Sequence, residues 1–438
     1  DDAASRALSR VFFREWEARV PGERRSLHRA RALIDALHLT TRHITTGHIT
    51  TGHITTGHIT TVGIPVLTVV GSKGKGTAAA YASALLATAG RRVVTVTSPD
   101  HRTVRERIRV DGRAVSPAEL TALGERISDG MARLPPPANG YLAPSGLFIV
   151  AGVLHALALD AETLVIEAGR GGRSDEASLF TPTVAAVTPV FEEHLGELGD
   201  SVAEIARDKA AVIGPQTLDV LSAPQRDDVE PVLRTTVAEI SGGRAAYETV
   251  VPGASGVPAD LLPGGPGAAN AELGCLAAQR LLDRTGGERP AVRPLRAALS
   301  SIALPGRLSW HRVPGTPCSV LLDQAVNGPG AAAAVTAARA RGGVDHVLVS
   351  LSDDKDLDGV IAELRGLPVT FVRLDRPHLG FTRNVPAHWT VLDERELTRA
   401  ALTRFGRRLV AMGNVSFVGR MAELLDIPTE RLFNPPGR

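Results

Sequence analysis

A glycine-rich stretch between two apolar runs carries the residue types best suited to chemistry. Residues 66–70, Val-Leu-Thr-Val-Val, form a β-branched run that predicts a buried strand. Residues 78–89 form an alanine- and leucine-rich run that predicts a helix. The turn between them reads Gly71, Ser72, Lys73, Gly74, Lys75, Gly76, Thr77. Because backbone N–H groups, a helix N-terminus and lysine charge converge in such a turn, the stretch predicts a phosphate site in preference to an ordinary turn.

The spacing within residues 71–77 differs from that of the most common nucleotide-binding loop. That loop has four residues between its two glycines, and a Ser or Thr directly follows Gly-Lys. Here two residues separate the first two glycines, and Gly76 lies between Lys75 and Thr77. The stretch therefore belongs to a narrower class of phosphate loops.

Three further polar side chains lie just beyond predicted strands, namely Ser98, Glu167 and His194. The strands before them are predicted at residues 92–97, 163–166 and 184–188. Strands that alternate with helices predict a parallel, doubly wound sheet, which binds ligands at the carboxyl ends of its strands. Each side chain alone is more typical of a structural role, as is Lys209 on the helix predicted at 201–212. Their common position around the phosphate loop favours a functional site.

Changes in composition divide the chain into three predicted parts. Glycine- and proline-rich residues at 252–267 precede a helix that starts near Asn270, and residues 284–305 indicate a boundary. Beyond that boundary, strands are predicted at 320–322, 347–349, 370–372, 391–392 and 409–411. We therefore predict an α/β protein with N-terminal helices and a loop, a central phosphate-loop domain and a smaller C-terminal α/β domain, at residues 1–61, 62–293 and 294–438.

A five-residue repeat, His-Ile-Thr-Thr-Gly, occupies residues 43–61. Its histidines are His43, His48, His53 and His58. Regular imidazoles suggest metal binding. A period of five, however, places successive side chains on opposite faces of a strand, and turns them by about 140° on a helix. We therefore interpret the repeat as a low-complexity insertion that forms a solvated loop, with metal binding as the alternative.

Charge and cysteine content exclude several classes of protein. The chain has 438 residues, with 49 basic and 47 acidic side chains, so its charges nearly cancel and do not suggest a nucleic-acid or acidic-lipid partner. Its two cysteines, Cys275 and Cys318, have no metal-binding spacing and exclude a disulfide scaffold. A run of about 18 apolar residues, which a membrane-spanning helix needs, is absent. We therefore expect a cytoplasmic protein with no nucleic-acid or membrane partner.

The phosphate loop resembles that of the Mur ligase superfamily, and its Gly-Lys-Gly-Thr ending resembles the folylpolyglutamate synthases in particular. Other stretches resemble signatures of the same family in the same order, at 97–99, 106–109, 167–175, 194–200, 204–210, 305–308, 323–327, 354–356 and 413–419. The resemblance covers most of the chain. It implies a Mur ligase-like fold, with a central ATP-binding domain and a C-terminal Rossmann-like domain.

For the nucleotide, the resemblance implies that residues 71–77 hold the phosphates of ATP, with Lys75 as the catalytic charge. It also implies that Asn270, Arg307 and Asp323 bind the nucleotide. The implied reaction transfers the γ-phosphate to a carboxylic acid, after which an amine such as that of glutamate displaces the phosphate and forms an amide. Such phosphoryl transfer needs positioning and charge neutralisation from the protein.

For metal ions, the resemblance implies two Mg²⁺ sites. Thr77 would bind one ion, and Ser98, Glu167 and His194 would bind the other. Lys209 would be the lysine that is carbamylated in this superfamily and helps to position metal. The same resemblance makes Glu167, His194 and Lys209 catalytic residues.

Departures from the family pattern favour a different substrate. Val326 and residues 266–267 replace family His and Gln residues, and Val104 stands where Phe is usual. These changes remove hydrogen-bond donors and a surface for stacking a pterin. Arg102 and Arg105 add positive charge, which suits another anionic acceptor. We therefore predict an ATP-dependent ligase that joins an amino acid such as glutamate to a carboxylic acid in a specialised biosynthetic pathway.

Three alternatives stay open. The first is a folylpolyglutamate or dihydrofolate synthase with the family's usual substrate. The second is a nucleotide-binding scaffold that no longer catalyses ligation, and the third is a kinase that stops at phosphoryl transfer.

Two further positions depart from the family pattern. Gln324 stands where the family usually has Gly, and Glu193 stands where it usually has Asp.

Overall fold

The computed structural model describes residues 3–39, 63–138, 140–265, 267–376 and 379–435. The predicted solvated repeat at 43–61 and Pro266 lie outside these residues. The chain separates into two compact units. We call them the N-terminal unit (residues 1–99, 105–302 and 431–438) and the C-terminal unit (residues 100–104 and 303–430).

The N-terminal unit contains helices and one mainly parallel sheet. Its helices are α1 (Ala3–Ala18), α2 (Leu27–Ala36), α3 (Lys75–Thr88), α4 (Pro117–Ala132), α5 (Pro144–Ala158), α6 (Val202–Ala210), α7 (Glu230–Ser241), α8 (Gly267–Arg284) and α9 (Val292–Ser300). Its strands are β1 (Val66–Val70), β2 (Val93–Val96), β3 (Ile108–Val110), β4 (Arg113–Ala114), β5 (Thr163–Glu167), β6 (Val184–Val187), β7 (Asp219–Ser222) and β8 (Ala246–Thr249). Helix α9 belongs to this unit. The division at 302/303 therefore lies later in the chain than the predicted boundary at 293/294.

The order of the strands brings the predicted strand ends together. Within the described residues the sheet runs β4-β3-β2-β5-β1-β6-β7-β8, and only β3 pairs in antiparallel fashion with its neighbours. The strands β2, β5, β1 and β6 are adjacent and parallel. Their carboxyl ends therefore lie along one edge of the sheet, as the alternation of strands and helices predicted.

Burial explains why the central elements form where they do. All five residues of β1 are buried, as a continuous apolar run requires in a sheet covered on both faces. Helix α3 is buried along most of its length, and its alanines let neighbouring elements approach closely. It packs against α8, α9 and the strands β5 and β2. The phosphate loop therefore joins two buried elements of the unit.

The C-terminal unit has the same layered α/β construction. Its strands are β9 (Ser309–Arg312), β10 (Ser319–Asp323), β11 (His346–Ser350), β12 (Val369–Arg373), β13 (Thr390–Asp393) and β14 (Arg408–Gly413). Its helices are α10 (Gly328–Ala340), α11 (Leu357–Glu363), α12 (Arg399–Arg404) and α13 (Val415–Leu424). The sheet order is β13-β12-β11-β14-β10-β9, parallel except for β9, with an apolar core on each face. This confirms the predicted second α/β layer structure.

None of the helices in the described ranges combines the length and the apolar character that crossing a bilayer would demand.

Candidate active site

Two positions of the phosphate loop have a backbone conformation and a space that suit only glycine. Gly71 follows β1 with φ of 139°, and a side-chain carbon at this position would lie 2.7 Å from the carbonyl oxygen of Thr188. Gly74 adopts a left-handed conformation with φ of 93° at the N-cap of α3. A side-chain carbon there would overlap the amide group of Asn270. These two glycines therefore let the loop pass close to β6 and α8.

Helix α3 directs its N-terminus at this loop. Its N-cap residue, Gly74, supplies no side-chain hydrogen bond to the first turn. The N–H groups of a first turn have no partner within the helix, and they carry the positive end of the helix dipole. Thr77 lies in the same turn and is buried. The loop and the helix start thus provide the cradle that phosphate oxygens need.

Two lysine side chains meet at the first residue of the loop. The Nζ atoms of Lys75 and Lys209 both donate to the carbonyl oxygen of Gly71, at 3.1 Å and 3.0 Å. Lys209 also forms an ion pair with Glu193, with 2.7 Å between Nζ and Oε1. Burial lowers the pKa of Lys209, against the opposing effect of Glu193, and the nearby charge of Lys75 lowers it further. The sequence did not reveal the contact with Glu193, since it joins residues on different elements.

Glu167 brings two further strand ends to the loop. It is the last residue of β5 and is buried, and its Oε2 accepts a hydrogen bond from the backbone N–H of Ser98 at 3.2 Å. Its carboxylate also lies against Gly76, where a side-chain carbon would be 3.6 Å from Oε2. The structure therefore places Ser98, Glu167 and the start of α3 at one point, as the strand ends predicted.

His194 lies in the exposed loop after β6. It has a left-handed backbone, with φ of 49°, and its carbonyl oxygen accepts from the N–H groups of Glu197 and Leu198 at 3.0 Å and 3.1 Å. In the part of the chain that the structure describes, no three His, Cys, Asp or Glu side chains are grouped to hold a metal ion. Glu167 with the hydroxyls of Thr77 and Ser98 nevertheless offers oxygen donors, which Mg²⁺ prefers alongside phosphate oxygens.

The three residues assigned to the nucleotide lie in different units. Asn270 is buried on α8, and its side chain packs against Gly74 of the phosphate loop. Arg307 and Asp323 belong to the C-terminal unit. There, Oδ2 of Asp323 accepts from the N–H of Leu308 at 2.8 Å, so the carboxylate fixes the turn next to Arg307.

The glycine-rich turn after Glu167 is held by an aspartate of α6. Asp208 accepts hydrogen bonds from the N–H of Gly172 at 2.8 Å and from the hydroxyl of Ser174 at 3.0 Å. Burial raises the pKa of Asp208, and these hydrogen bonds oppose that rise. Since Asp208 is the neighbour of Lys209, one helix turn supports both the phosphate loop and the turn that follows Glu167.

A buried charge cluster supports the same turn from the other side. Nη1 of Arg25 contacts Oδ2 of Asp175 at 2.7 Å and Oε2 of Glu176 at 3.0 Å. Asp175 is fully buried and also accepts from the N–H groups of Arg170 and Ala177. Burial raises the pKa of Glu176 to about 7, with Arg25 lowering and Asp175 raising it. No local pattern marked Arg25, because its partners lie 150 residues away.

Two arginines that the sequence assigned to an anionic substrate have protein partners. Nη1 of Arg102 donates to the carbonyl oxygen of Ile427 at 2.7 Å, and Nη1 of Arg105 donates to that of Val115 at 3.1 Å. Each guanidinium therefore also binds a carbonyl group of the protein. The preference for an anionic acceptor stays a prediction.

Proteins similar to this chain in sequence and in structure carry the name folylpolyglutamate synthase. No family model matches the chain. The dihydrofolate synthase/folylpolyglutamate synthase of Mycobacterium tuberculosis is 29% identical over 376 residues, covering 78% of this chain and 74% of that protein. A solved folylpolyglutamate synthase of M. tuberculosis complexed with ADP is 20% identical, covers 97% of this chain and 99% of its own, and has a TM-score of 0.75.

The chain is thus similar to proteins named folylpolyglutamate synthase. A probable bifunctional folylpolyglutamate synthase/dihydropteroate synthase of Halobacterium salinarum is more identical, at 36%, but over only 170 residues, which are 37% of this chain and 20% of that protein. At 20% identity the likeness to the solved folylpolyglutamate synthase shows the fold alone. It confirms the α/β fold that the strand and helix pattern predicted.

Proposed function

We propose that this chain is an ATP-dependent, ADP-forming ligase that joins an amino acid such as glutamate to a carboxylic acid. One observation carries the proposal. The carboxylate of Glu167 lies against the phosphate loop at Gly76, while Lys75 and Lys209 meet at the start of the same loop. The arrangement combines charge for phosphate oxygens with a carboxylate for metal, which are the needs of phosphoryl transfer. The relatives named folylpolyglutamate synthase support the same reaction class.

The phosphate loop would bind ATP through its backbone. The N–H groups at the start of α3 would bind the phosphate oxygens, and the ammonium of Lys75 would leave the Gly71 carbonyl to reach them. Asn270 would hold the loop in this conformation, since its side chain packs directly against Gly74. We further propose that Arg307 and Asp323 bind the nucleotide, as the family resemblance implies.

The oxygen donors next to the loop fit Mg²⁺. We propose that Thr77 holds one ion and that Ser98, Glu167 and His194 hold a second. Bound Mg²⁺ would neutralise phosphate charge during transfer. Lys209 would carry a carbamate, as the resemblance implies, and its burial beside the loop keeps such a group close to the phosphates. If so, Lys209→Ala should lose turnover, and acetate should restore part of it.

The acid substrate is best found by direct measurement. ADP release should be followed with ATP and Mg²⁺ across a panel of carboxylic acids, folates included, crossed with amino acids. Turnover that requires one acid–amine pair would establish the ligase and name its substrates. The replacements at Val104 and Val326 favour an acid other than folate, whereas the names of the relatives favour folate as the second candidate.

Variants test whether the measured turnover depends on the candidate site. Glu167→Ala should abolish turnover with the active pair, because the site loses a buried carboxylate that lies against the phosphate loop. Arg234→Ala is a matched control, since it removes a pair with Glu230 on α7 and a contact with the ring of Tyr247, and neither involves the phosphate loop. ADP release that needs the acid but no amine would indicate a kinase instead. ATP binding with no turnover for any pair would indicate a scaffold and would contradict the proposal.

A further inference from the structure

Gln225 is a half-buried residue in the loop between β7 and α7. Both polar atoms of its side chain bond to groups of the N-terminal unit. Nε2 donates to the carbonyl oxygen of Thr188 at 3.2 Å and to the hydroxyl of Ser222 at 3.1 Å. Oε1 accepts from the backbone N–H of Val190 at 2.9 Å. The amide therefore joins the end of β7 to the chain that follows β6.

The chain that follows β6 packs against the phosphate loop. We call residues 188–191 the wall segment. The backbone N–H of Thr188 donates to the carbonyl oxygen of Val70, the last residue of β1, at 2.8 Å. A side-chain carbon at Gly71 would overlap the hydroxyl of Thr188. The wall segment thus touches the first residue of the phosphate loop.

Ser72 ties the phosphate loop to the rest of the wall segment. Its backbone N–H donates to the carbonyl oxygen of Pro189 at 3.0 Å. Its hydroxyl donates to the carbonyl oxygen of Phe191 at 3.2 Å and accepts from the N–H of the same residue at 3.1 Å. Three hydrogen bonds therefore fix one residue of a loop that is rich in glycine and has little rigidity of its own.

The bonds of Gln225 and of Ser72 alternate along the wall segment. Gln225 binds its first and third residues, and Ser72 binds its second and fourth. Alternate residues thus face opposite partners, as they do along a strand. A proline at the second position restricts the backbone further. The wall segment therefore transmits the position of the Gln225 amide to Ser72 through four residues of restrained backbone.

We propose that Gln225 is a positioning residue, which fixes the wall segment so that Ser72 holds the phosphate loop in the conformation that binds ATP. The three bonds of the amide all go to protein groups, so the role is indirect. The inference rests on the proposed function, in which backbone N–H groups of this loop bind phosphate oxygens. A loop that is already ordered binds its ligand more tightly, because less conformational freedom is lost on binding.

The direct test is backbone amide exchange in the protein without nucleotide or metal. Gln225→Met keeps the size of the side chain and removes its three hydrogen bonds. We expect exchange at the N–H groups of Ser72 and Phe191 to speed up by at least about fivefold, the effect of roughly one hydrogen bond. The acceptors of these two N–H groups stay in place, so the effect must pass through the wall segment. The N–H of Val190 loses its acceptor directly and should exchange faster for that reason alone.

A second variant changes only the donor side of the amide. Gln225→Glu keeps an oxygen that can accept from Val190, but at pH 8 its carboxylate cannot donate to the carbonyl oxygen of Thr188. The two oxygens that then face each other should repel and displace the wall segment. We therefore expect faster exchange at Ser72 in this variant also.

Gln279→Met is the matched control, because it makes the same substitution in the same unit and removes a hydrogen bond to the carbonyl oxygen of Ser255. Exchange at Ser72 should then stay as in wild type, and equal acceleration in this control would overturn the positioning role. Unchanged exchange at Ser72 in both Gln225 variants would also overturn it, since the amide would then act on Val190 alone. Acceleration across the whole sheet as far as β4 would indicate general loosening and would contradict the inference too.

Nucleotide binding supplies a second readout. Calorimetric titration with ATP and Mg²⁺ should give a Kd roughly fivefold higher for Gln225→Met than for wild type, and a change of less than about twofold for Gln279→Met. An unchanged Kd in Gln225→Met, with measurable binding by wild type, would overturn the positioning role. If the wild-type protein binds no ATP, the proposed function fails, while amide exchange still decides whether Gln225 fixes Ser72.

Discussion

At the scale of single residues, the carbonyl oxygen of Gly71 accepts hydrogen bonds from two lysine side chains. Lys75 and Lys209 share this one acceptor, and Lys209 also pairs with the carboxylate of Glu193. While Lys209 is not carbamylated, its ammonium and that of Lys75 repel each other, so an anion at the loop would relieve that repulsion. The loop is thus electrostatically prepared for phosphate.

Lys75→Ala should lower turnover by at least about a hundredfold, because one of the charges aimed at the transferring phosphate is removed. The KM for the acid should change little, since Lys75 belongs to the phosphate loop, which we propose binds ATP. Steady-state kinetics of ADP release measure both values, with Arg234→Ala as the control. Turnover within tenfold of wild type would rule out a role for Lys75 in phosphate transfer.

The buried Glu176 predicts a dependence of stability on pH. Burial raises its pKa from an ordinary 4.5 to about 7, so the folded protein holds this proton more tightly than the unfolded chain does. The stabilisation is fully present below about pH 4.5 and is lost as pH rises through about 7. Glu176→Gln should therefore flatten the fall in the free energy of unfolding between these values.

Urea unfolding of wild type and Glu176→Gln at intervals between pH 4.5 and 8 measures this difference. Glu239→Gln, at an exposed position of α7, is the matched control and should follow wild type. Parallel curves for wild type and Glu176→Gln would show that this carboxyl does not titrate in that range.

At the scale of elements, the glycine-rich turn after β5 is held from two sides. Asp208 of α6 binds the N–H of Gly172, and Arg25, between α1 and α2, binds Asp175 and Glu176. A turn with so many glycines has no rigidity of its own. Its conformation, and with it the direction of the chain after Glu167, depends on these charged partners.

Arg25→Ala should destabilise the protein by about 3 kcal/mol, because it leaves two buried carboxyl groups without their cation. Adding Glu176→Gln should restore part of this loss, since one of the two groups is then neutral. Thermal unfolding of the single and double variants checks the prediction. An equal loss in both would show that Arg25 acts by packing alone.

The elements with continuous apolar runs could be predicted from sequence, and those with mixed composition could not. β1, β5 and β6 are buried along their whole length, so their apolar runs stood out. In contrast β8, Ala-Tyr-Glu-Thr, is a partly exposed edge strand, and β9, Ser-Trp-His-Arg, is half-buried. An edge strand needs no apolar run because one side faces solvent.

The same distinction applies to the candidate site. Glu167 and Ser98 lie at or just beyond the ends of apolar strands, and the parallel order of those strands brings them together, so a local pattern was enough. Arg25 contacts Asp175 across 150 residues, and Glu193 pairs with Lys209 on another element. A contact of that kind leaves no periodicity in either segment, and only the folded chain reveals it.

At the scale of the whole molecule, every candidate site residue lies outside the histidine repeat at 43–61. Deleting residues 43–57 should therefore keep turnover within about twofold, since such an insertion between elements costs little to remove. ADP release and the thermal unfolding temperature of the shortened protein check this. A loss of turnover with normal unfolding would assign the repeat a direct function.

The two units are interleaved along the chain, and this limits how recombination can exchange them. The chain passes between the units after residues 99, 104, 302 and 430, and at its last crossing Leu432 returns to bind Gly112 of the N-terminal unit. A gene fragment that ends at codon 302 would encode residues 100–104 without the rest of the C-terminal unit. Recombination at a single point therefore cannot exchange one unit for that of another protein, and the two units must evolve as a pair.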